Sequence, residues 1–560
     1  MRRIGQKSAN PLWGWAAGIG LVVFLFIQVF PLLWNRDAGN ALSRGAAEQA
    51  AVKIAAERFG IAGEPTGLDL THLSDSDTVG YFSKYGLLDE YKKEWSDRHP
   101  TDVYRADLRY GEERLTLYLQ METGQLVGWQ DSRAAASAAA NEDPKSGAER
   151  ALAYAAFWGE KPGDWEWNGE PADVSGTYTF LSRKAGLSDA RLALKVAAPS
   201  GFNAASSAVP PWRDGKVSYE IRIPQSFTDY MAGQTKLAVK LNALGFVVPQ
   251  LVLLIMAIIY SASRREYTTF RRGIGLAVAF LAMYTSFYLN MQPAFRAGLL
   301  QEGQNADSSA IHAILITNFI VLAGMALFTY LSAVGGDGLW RSMGKPLWPR
   351  WREPGFGQAV MSGMKTGYPL AFLLLGVQSV ILVGLENGIG MFQASDASQS
   401  SYNMTFPWLL LLLAWCAGIS EELQSRLFGI GLFRSWLLGG ARRLLGREPS
   451  PRASTVLTAV AMFPPGLFWA FGHVGYAVYP AYSRLIELII MAFLFGWFLL
   501  RFGFLAVLFA HIVLDSVLMG VQLAFDGLPG DAAASMIGFI LPAAVAYAVF
   551  RVHRRWNKSG

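Results

Sequence analysis

Three ionisable residues interrupt an apolar run in the C-terminal half of the chain. Glu421, Glu422 and Arg426 lie in the stretch 417–434, which continues an apolar segment that begins at Phe406. A charge near the centre of a bilayer costs roughly 2.5–3.5 kcal/mol on insertion scales, so such residues normally face a protein interior, pair with one another and serve a function. On a helix Glu422 and Arg426 are i, i+4 neighbours. This spacing favours an ion pair between them and leaves Glu421 free.

Two further apolar segments supply histidines. One contains His473, and the other contains His511 four residues before Asp515, so that the last two share a helix face. A free carboxylate such as Glu421 can act as a general base on water, and a neighbouring imidazole can hold that water or take its proton. A second imidazole, oriented by an acid, can donate to a developing oxyanion. These residue types predict hydrolysis without a covalent intermediate.

Metal chemistry is the main mechanistic alternative. Glu421, His473 and His511 could form a zinc site of two histidines and one carboxylate with an open position for water. The sequence lacks a His-x-x-x-His spacing and places Arg426 close to the carboxylates, so we favour a metal-free site with no cofactor. The single cysteine, Cys416, excludes a disulfide framework and a metal site built from several cysteines. No Gly-x-Ser-x-Gly, phosphate-binding loop or His-Glu-x-x-His is present to favour other hydrolases or nucleotide enzymes.

The order and spacing of these residues resemble the motif set of the CPBP family of intramembrane proteases. That family includes the type II CAAX prenyl proteases and the bacteriocin-immunity-associated Abi proteins. The resemblance covers roughly residues 405–525. The three motifs are Glu421-Glu422-x-x-x-Arg426, Trp469-x-x-x-His473 and His511-x-x-x-Asp515. The roles that the resemblance implies are water activation by Glu421 and His473, oxyanion stabilisation by His511 and Asp515, and shaping of the site by Glu422 and Arg426.

Two residues depart from the family pattern. Trp469 replaces the usual Phe, a change that we expect to alter packing more than chemistry. Asp515 replaces the common Asn and cannot donate a hydrogen bond unless it is protonated. We therefore expect Asp515 to orient His511 rather than to contact the oxyanion.

The composition indicates the elements that hold these residues. Of the 560 residues, 52% are hydrophobic and only 16% are charged, which is typical of a polytopic membrane protein. About ten segments are long enough to cross a bilayer. The predicted spans are residues 11–34, 243–263, 273–292, 310–333, 367–386, 405–433, 454–476, 485–502, 504–525 and 532–552.

A segment of soluble composition follows the first span. Residues 35–241, here called the outer domain, combine a helix at 46–59 with alternating strands at 103–110 and 114–121. An alanine-rich connector (133–146) precedes a second helix at 147–158 and a later strand at 217–223, so the order of elements is repeated. A helix followed by a hairpin that ends in Glu-Thr-Gly-Gln-Leu-Val-Gly-Trp loosely resembles PepSY-like modules. An unspecific α+β spacer or binding domain is the alternative.

The fold class predicted is an all-α polytopic membrane bundle with an α+β extracytoplasmic domain inserted after the first helix. Basic residues cluster near Met1, in alternate loops and at the C-terminus, whereas the intervening loops 386–403 and 526–531 contain no Lys or Arg. The positive-inside rule then places both termini in the cytoplasm of a cell-membrane protein and the outer domain outside. The predicted parts are the signal anchor (1–34), the outer domain (35–241), helices two to five (242–400), the catalytic core (401–530) and the last helix with its basic tail (531–560).

The predicted function is an intramembrane endopeptidase that cleaves a peptide or membrane protein in the lipid bilayer. A proton- or ion-coupled transporter is an alternative, because buried Glu, His and Asp also form proton relays. A non-catalytic immunity or scaffold protein is another. Topology explains the net charge of +6, so no nucleic-acid partner is expected. The outer domain is expected to bind a substrate or a regulator.

Other ionisable residues are expected to lie outside the site. Glu487 and Arg484 are predicted to form an interfacial pair, and His312 is predicted to lie at the start of its segment. His72, His99 and His553 lie outside the membrane segments, and the sequence indicates no partners for them.

Overall fold

The computed structural model of the chain describes residues 11–34, 41–131, 143–184, 186–199, 202–203 and 212–556. The basic residues before Pro11, most of the alanine-rich connector and the last four residues lie outside this range. The helices in chain order are α1 (Leu12–Trp34), α2 (Arg44–Phe59), α3 (Ser76–Tyr85), α4 (Leu88–Glu94), α5 (Pro144–Phe157), α6 (Gln225–Ser263), α7 (Ile274–Asn290), α8 (Gln292–Gln301), α9 (Ser308–Ser342), α10 (Phe356–Ile389), α11 (Leu411–Glu421), α12 (Gly431–Leu445), α13 (Pro451–Phe471), α14 (Ser483–Phe502), α15 (Phe504–Ala524) and α16 (Asp531–Trp556). The strands are β1 (Gly67–Ser74), β2 (Asp102–Tyr110), β3 (Glu113–Gln120), β4 (Leu126–Asp131), β5 (Trp165–Trp167), β6 (Tyr178–Ser182), β7 (Arg191–Ala197), β8 (Lys216–Arg222), β9 (Phe392–Gln393) and β10 (Val478–Tyr479).

The membrane part is a bundle of long apolar helices. Within the described residues, eight helices are long and apolar enough to cross a membrane, and α7 with α8 forms a ninth candidate that is bent by 53°. The predicted span that holds the glutamate pair is also helical, through α11, a π-helical segment at Glu422–Ile430 and α12. Each of the ten predicted apolar segments overlaps a helix. The prediction of a polytopic helical bundle with a separate α+β domain is therefore confirmed.

The outer domain is built on one antiparallel sheet of eight strands in the order β1-β2-β3-β4-β8-β7-β6-β5. Each half of the domain has a helix, α2 or α5, followed by four strands, and the halves meet where β4 pairs with β8. Alternation along β2 buries Tyr104, Ala106 and Leu108, while the residues between them point away from the core. The predicted helices and strands of this domain are confirmed to within a few residues. A PepSY-like relationship stays a prediction.

The outer domain is joined to the bundle by a continuous helix and by a loop. Helix α6 runs from the domain into the bundle over 39 residues, a length of about 58 Å at 1.5 Å per residue. The loop 390–410 between α10 and α11 packs under β1, where the buried Asn403 side chain donates to the carbonyl of His72 and accepts from its amide, both at 2.8 Å. The same loop leads directly into α11, which carries Glu421. The structure thus connects the outer domain to the helix on which the glutamates lie.

Candidate active site

The two glutamates lie where the helix changes its winding. Glu421 is the last residue of α11, and Glu422 begins the π-helical segment that continues to Ile430. Such π-helical turns are rare and are frequent at functional sites. Glu422 is fully buried, whereas the side chain of Glu421 keeps 22% of its surface exposed. The two neighbouring carboxylates therefore face different surroundings.

Arg426 lies between Glu422 of the first motif and Trp469 of the second motif. Its Nε is 3.5 Å from Oε1 of Glu422, and its guanidinium carbon lies 3.9 Å from the centre of the Trp469 ring. A guanidinium over an indole face is a favourable cation–π arrangement, and desolvation strengthens it. None of the three guanidinium nitrogens of Arg426 makes a hydrogen bond among the described residues. The stacking on Trp469 is therefore a principal contact of this buried charge.

Trp469 also contacts the exposed glutamate. The indole Nε1 of Trp469 donates a hydrogen bond to Oε2 of Glu421. A phenylalanine ring has no such donor, so this contact is one that the usual residue of the family pattern would not make; the expectation that the change alters packing more than chemistry stays a prediction. The tryptophan fixes one oxygen of Glu421 and leaves the other oxygen, Oε1, for further contacts.

His473 lies two residues after the end of α13 and faces Glu421. Its Nδ1 lies 2.8 Å from the backbone oxygen of Trp469, an acceptor, so Nδ1 carries the proton. In the neutral ring Nε2 is then an acceptor, and it lies 3.7 Å from Oε1 of Glu421. Two acceptors at this separation match the two protons of one water molecule.

His511 lies on the other side of the same carboxylate. Its Nδ1 is 2.8 Å from Oε1 of Glu422, and its Nε2 is 3.4 Å from Oδ2 of Asp515 and 3.7 Å from Oε2 of Glu421. Both ring nitrogens therefore face carboxylate oxygens, which only accept, so the imidazolium form with two N–H donors fits this position. Glu422, which was expected to support the site together with Arg426, makes the shorter contact to His511. Asp515, which was expected to orient His511, makes a longer one.

The structure therefore brings all seven residues predicted from the three motifs into one cluster. They come from α11 with its π-helical continuation, from the end of α13 and from α15. Tight packing holds these helices together, since a Cβ on Gly418 would overlap Ile512 and one on Gly429 would overlap Pro465. The roles of the individual residues stay predictions.

The residues as arranged do not fit a metal ion. The predicted zinc ligands His473 and His511 approach different oxygens of Glu421, and one of those oxygens already accepts from Trp469. Among the described residues no group of three His, Cys, Asp or Glu side chains is arranged to hold a metal. No step of the reaction is therefore derived through a metal.

Three ionisable residues outside the site have defined partners in the structure. Glu487 pairs with Arg484 at 2.6 Å, as predicted, and its fully buried carboxylate also accepts from Gln378 at 2.7 Å. His72 does have partners, Ser400 and Asp102, each at 3.0 Å. His553 has them as well, since its Nε2 lies 2.9 Å from the backbone oxygen of Trp351. Apart from Arg484, which lies three residues before Glu487 on α14, each of these partners lies on another element, so no local spacing indicated it.

Comparison with known protein families gives a match over the part of the chain that contains the candidate site. Residues 403–517 match the family model described as type II CAAX prenyl endopeptidase Rce1-like. Comparisons with curated proteins and with solved structures gave no significant match. The matched range begins in the loop under the outer domain and contains all three motifs. A protease of this family in a bundle of apolar helices acts on peptide or membrane-protein substrates in a lipid bilayer. The match assigns residues 403–517 to the CPBP, or CAAX protease, family, and at that level the chain is a CAAX-protease-like intramembrane endopeptidase.

Proposed function

We propose that this protease hydrolyses a peptide bond with a water molecule activated between Glu421 and His473. The observation that carries the proposal is the pair of acceptors, Oε1 of Glu421 and Nε2 of His473, which lie 3.7 Å apart and are each fixed from behind. A water that donates to both would direct its lone pair at the substrate carbonyl. Glu421 takes one proton from the water as the water oxygen attacks that carbon.

The second imidazole completes the reaction. His511, with an N–H at Nε2, donates to the oxyanion that forms on the substrate carbonyl, and Glu422 holds the opposite nitrogen. The protonated Glu421 then returns its proton to the amine leaving group as the C–N bond breaks. One water is consumed and two products leave, with no covalent intermediate and no metal.

Substitution of the base is the direct test. Glu421→Gln keeps the shape of the side chain and removes the base, so we expect kcat for a membrane-anchored peptide reporter to fall by about 100- to 10,000-fold. Glu448→Gln is the matched control, because Glu448 lies in the loop between α12 and α13, where it is exposed and pairs with Arg442. Cleavage by Glu421→Gln at the rate of Glu448→Gln would end the proposal.

A metal assay separates the proposal from its zinc alternative. We expect the pure protein to keep full activity after strong chelation and to contain less than one zinc per chain. Activity that is lost on chelation and restored only by zinc would refute the metal-free mechanism.

We further infer that the protein lies in the cell membrane with both termini in the cytoplasm and the outer domain outside. The support is the charge pattern at the helix ends and loops, since Arg442 and Arg443 lie in the last turn of α12, Arg447 follows it, and no Lys or Arg lies in 386–403. A membrane-impermeant maleimide added to intact cells is expected to label Val174→Cys, which is 98% exposed in the outer domain, and to spare Arg447→Cys. The reverse pattern would invert the topology.

A further inference from the structure

The exposure of the site residues increases in one direction. On the helix that carries the glutamates, Glu421 is 22% exposed, whereas Arg426, about one turn farther toward α12, is 2% exposed. On α15, Asp515 is 17% exposed and His511, one turn nearer the start of that helix, is 5% exposed. The two helices run in opposite directions, so sequence position alone does not explain the trend. Both trends lead toward the same end of the bundle.

That end is the one that carries the outer domain. Helix α11 begins after the loop 390–410, which is bound to the outer domain through Asn403 and His72. Helix α15 ends before Asp526, whose backbone oxygen accepts from Tyr402 of the same loop at 2.6 Å. The first residues of α11 and the last residues of α15 are therefore both on the side of the outer domain.

The opposite direction is closed by packed apolar side chains. The apolar residues that follow the site toward α12, and those that face it from α14, are at most 1% exposed. They are Leu423, Leu427, Phe428, Phe495 and Phe498. Among the described residues, a close-packed layer of this kind leaves no open path for a peptide from that side.

The segment after His473 forms the border of the opening. Tyr476 is 38% exposed and lies parallel to the His473 ring at a centroid distance of 5.8 Å. Two residues farther on, β10 pairs with β9 of the loop under the outer domain, and the amide of Ala481 donates to Gln234 of α6 at 2.9 Å. The border of the opening is thus tied to the outer domain through β9 and α6.

We propose that the active site opens on the side of the membrane that carries the outer domain, and that its substrate is a polypeptide segment on that side. This inference rests on the proposed function for the cleavage itself, but the direction of the opening is independent of it. With the topology inferred above, the substrate class is a secreted polypeptide or the extracytoplasmic part of a membrane protein, rather than the C-terminus of a cytoplasmic protein.

Thiol labelling measures the direction of the opening without any cleavage. In a Cys416→Ala background, Tyr476→Cys and, as a second variant, Asp515→Cys are each labelled with a charged maleimide added to one side of sealed vesicles. Val174→Cys reports the outer-domain side and Arg447→Cys the opposite side. We expect both site cysteines to react together with Val174→Cys. Reaction together with Arg447→Cys, or no reaction of either site cysteine from the outer-domain side, would overturn the proposal.

A reporter peptide then tests the substrate. A water-soluble fluorogenic peptide is added outside two kinds of vesicle, one with the outer domain facing outward and one with it facing inward. Labelling of Val174→Cys or of Arg447→Cys from outside identifies the orientation, and Glu421→Gln vesicles serve as the blank. We expect cleavage above the blank only in vesicles whose outer domain faces the peptide. Cleavage only in the other orientation overturns the inference. If neither orientation gives a signal above the blank while the site cysteines are labelled from the outer-domain side, the proposed function is refuted and the direction of the opening stands.

Discussion

The hydrogen bond from Trp469 to Glu421 makes the sharpest prediction, because one substitution removes it and keeps the rest of the contact. In the structure the guanidinium carbon of Arg426 lies 3.9 Å from the centre of the Trp469 ring. Trp469→Phe retains an aromatic face for Arg426 and removes the N–H donor. Without that donor, Oε2 of Glu421 loses the contact that aims Oε1 at His473. A hydrogen bond to a charged group contributes about 1.5–3 kcal/mol, which corresponds to a loss of about 10- to 150-fold in kcat.

The assay compares kcat and KM for the membrane-anchored reporter with the thermal unfolding temperature of the same preparations. Trp497→Phe is the matched control, since Trp497 lies on α14 with 44% of its surface exposed and packs on Trp13. We expect Trp469→Phe to lower kcat while KM and the unfolding temperature stay at the values of the control. A kcat equal to that of Trp497→Phe would refute the reasoning, and a parallel fall in unfolding temperature would show a structural effect instead.

Three other predictions concern stability and substrate preference. Asp337 is buried and paired with Arg272, Arg341 and Arg350, so Asp337→Asn is expected to destabilise the bundle by about 3–5 kcal/mol, whereas Glu353→Gln, at the exposed end of the same cluster, leaves the unfolding temperature nearly unchanged. Burial, with smaller effects of Arg98 and Lys184, lowers the pKa of His99 to about 4. The unfolded chain then binds the proton more tightly, so the free energy of unfolding of the outer domain is expected to fall by about 2 kcal/mol as the pH is lowered from 7 to 5. A His99→Gln variant whose unfolding keeps the same pH dependence would contradict this. The charged groups around Tyr476 are Arg484, Glu421, Asp515 and Asp396. Because Arg484 is already paired with Glu487, the three acidic groups remain, and reporters with Lys beside the cleaved bond are expected to show a higher kcat/KM than reporters with Glu. Equal values of kcat/KM would contradict this preference.

The sequence predicts which residues form the site better than it predicts how they touch. Apolar length identifies the helices, and the i, i+4 spacing correctly places His511 near Asp515. The same rule expects Glu422 to pair closely with Arg426, but the segment from Glu422 to Ile430 is π-helical. Its wider turn changes which side chains lie above one another. Glu422 is accordingly closer to His511, at 2.8 Å, than to Arg426, at 3.5 Å.

Contacts between helices are the part that no local pattern contains. The donation from Trp469 to Glu421 joins residues 48 positions apart, and the contact between Asn403 and His72 joins residues 331 positions apart. Both depend on how neighbouring helices are rotated and how far they are inserted. A departure from the family pattern, as at Trp469, was the available signal, because an added N–H in a buried site needs an acceptor.

His473 lies outside any helix and is held in place by a chain of side-chain contacts. Its Nδ1 is bound to the backbone of Trp469, and its ring lies parallel to Tyr476, whose own ring lies 5.2 Å from the guanidinium carbon of Arg484. Arg484 is in turn held by the fully buried Glu487, which α10 binds through Gln378. A buried ion pair is weak evidence of stability, but it can fix one arrangement among several. We therefore interpret the Glu487–Arg484 pair as the support that holds the border of the site, and with it the second acceptor for the catalytic water, at a defined distance from Glu421.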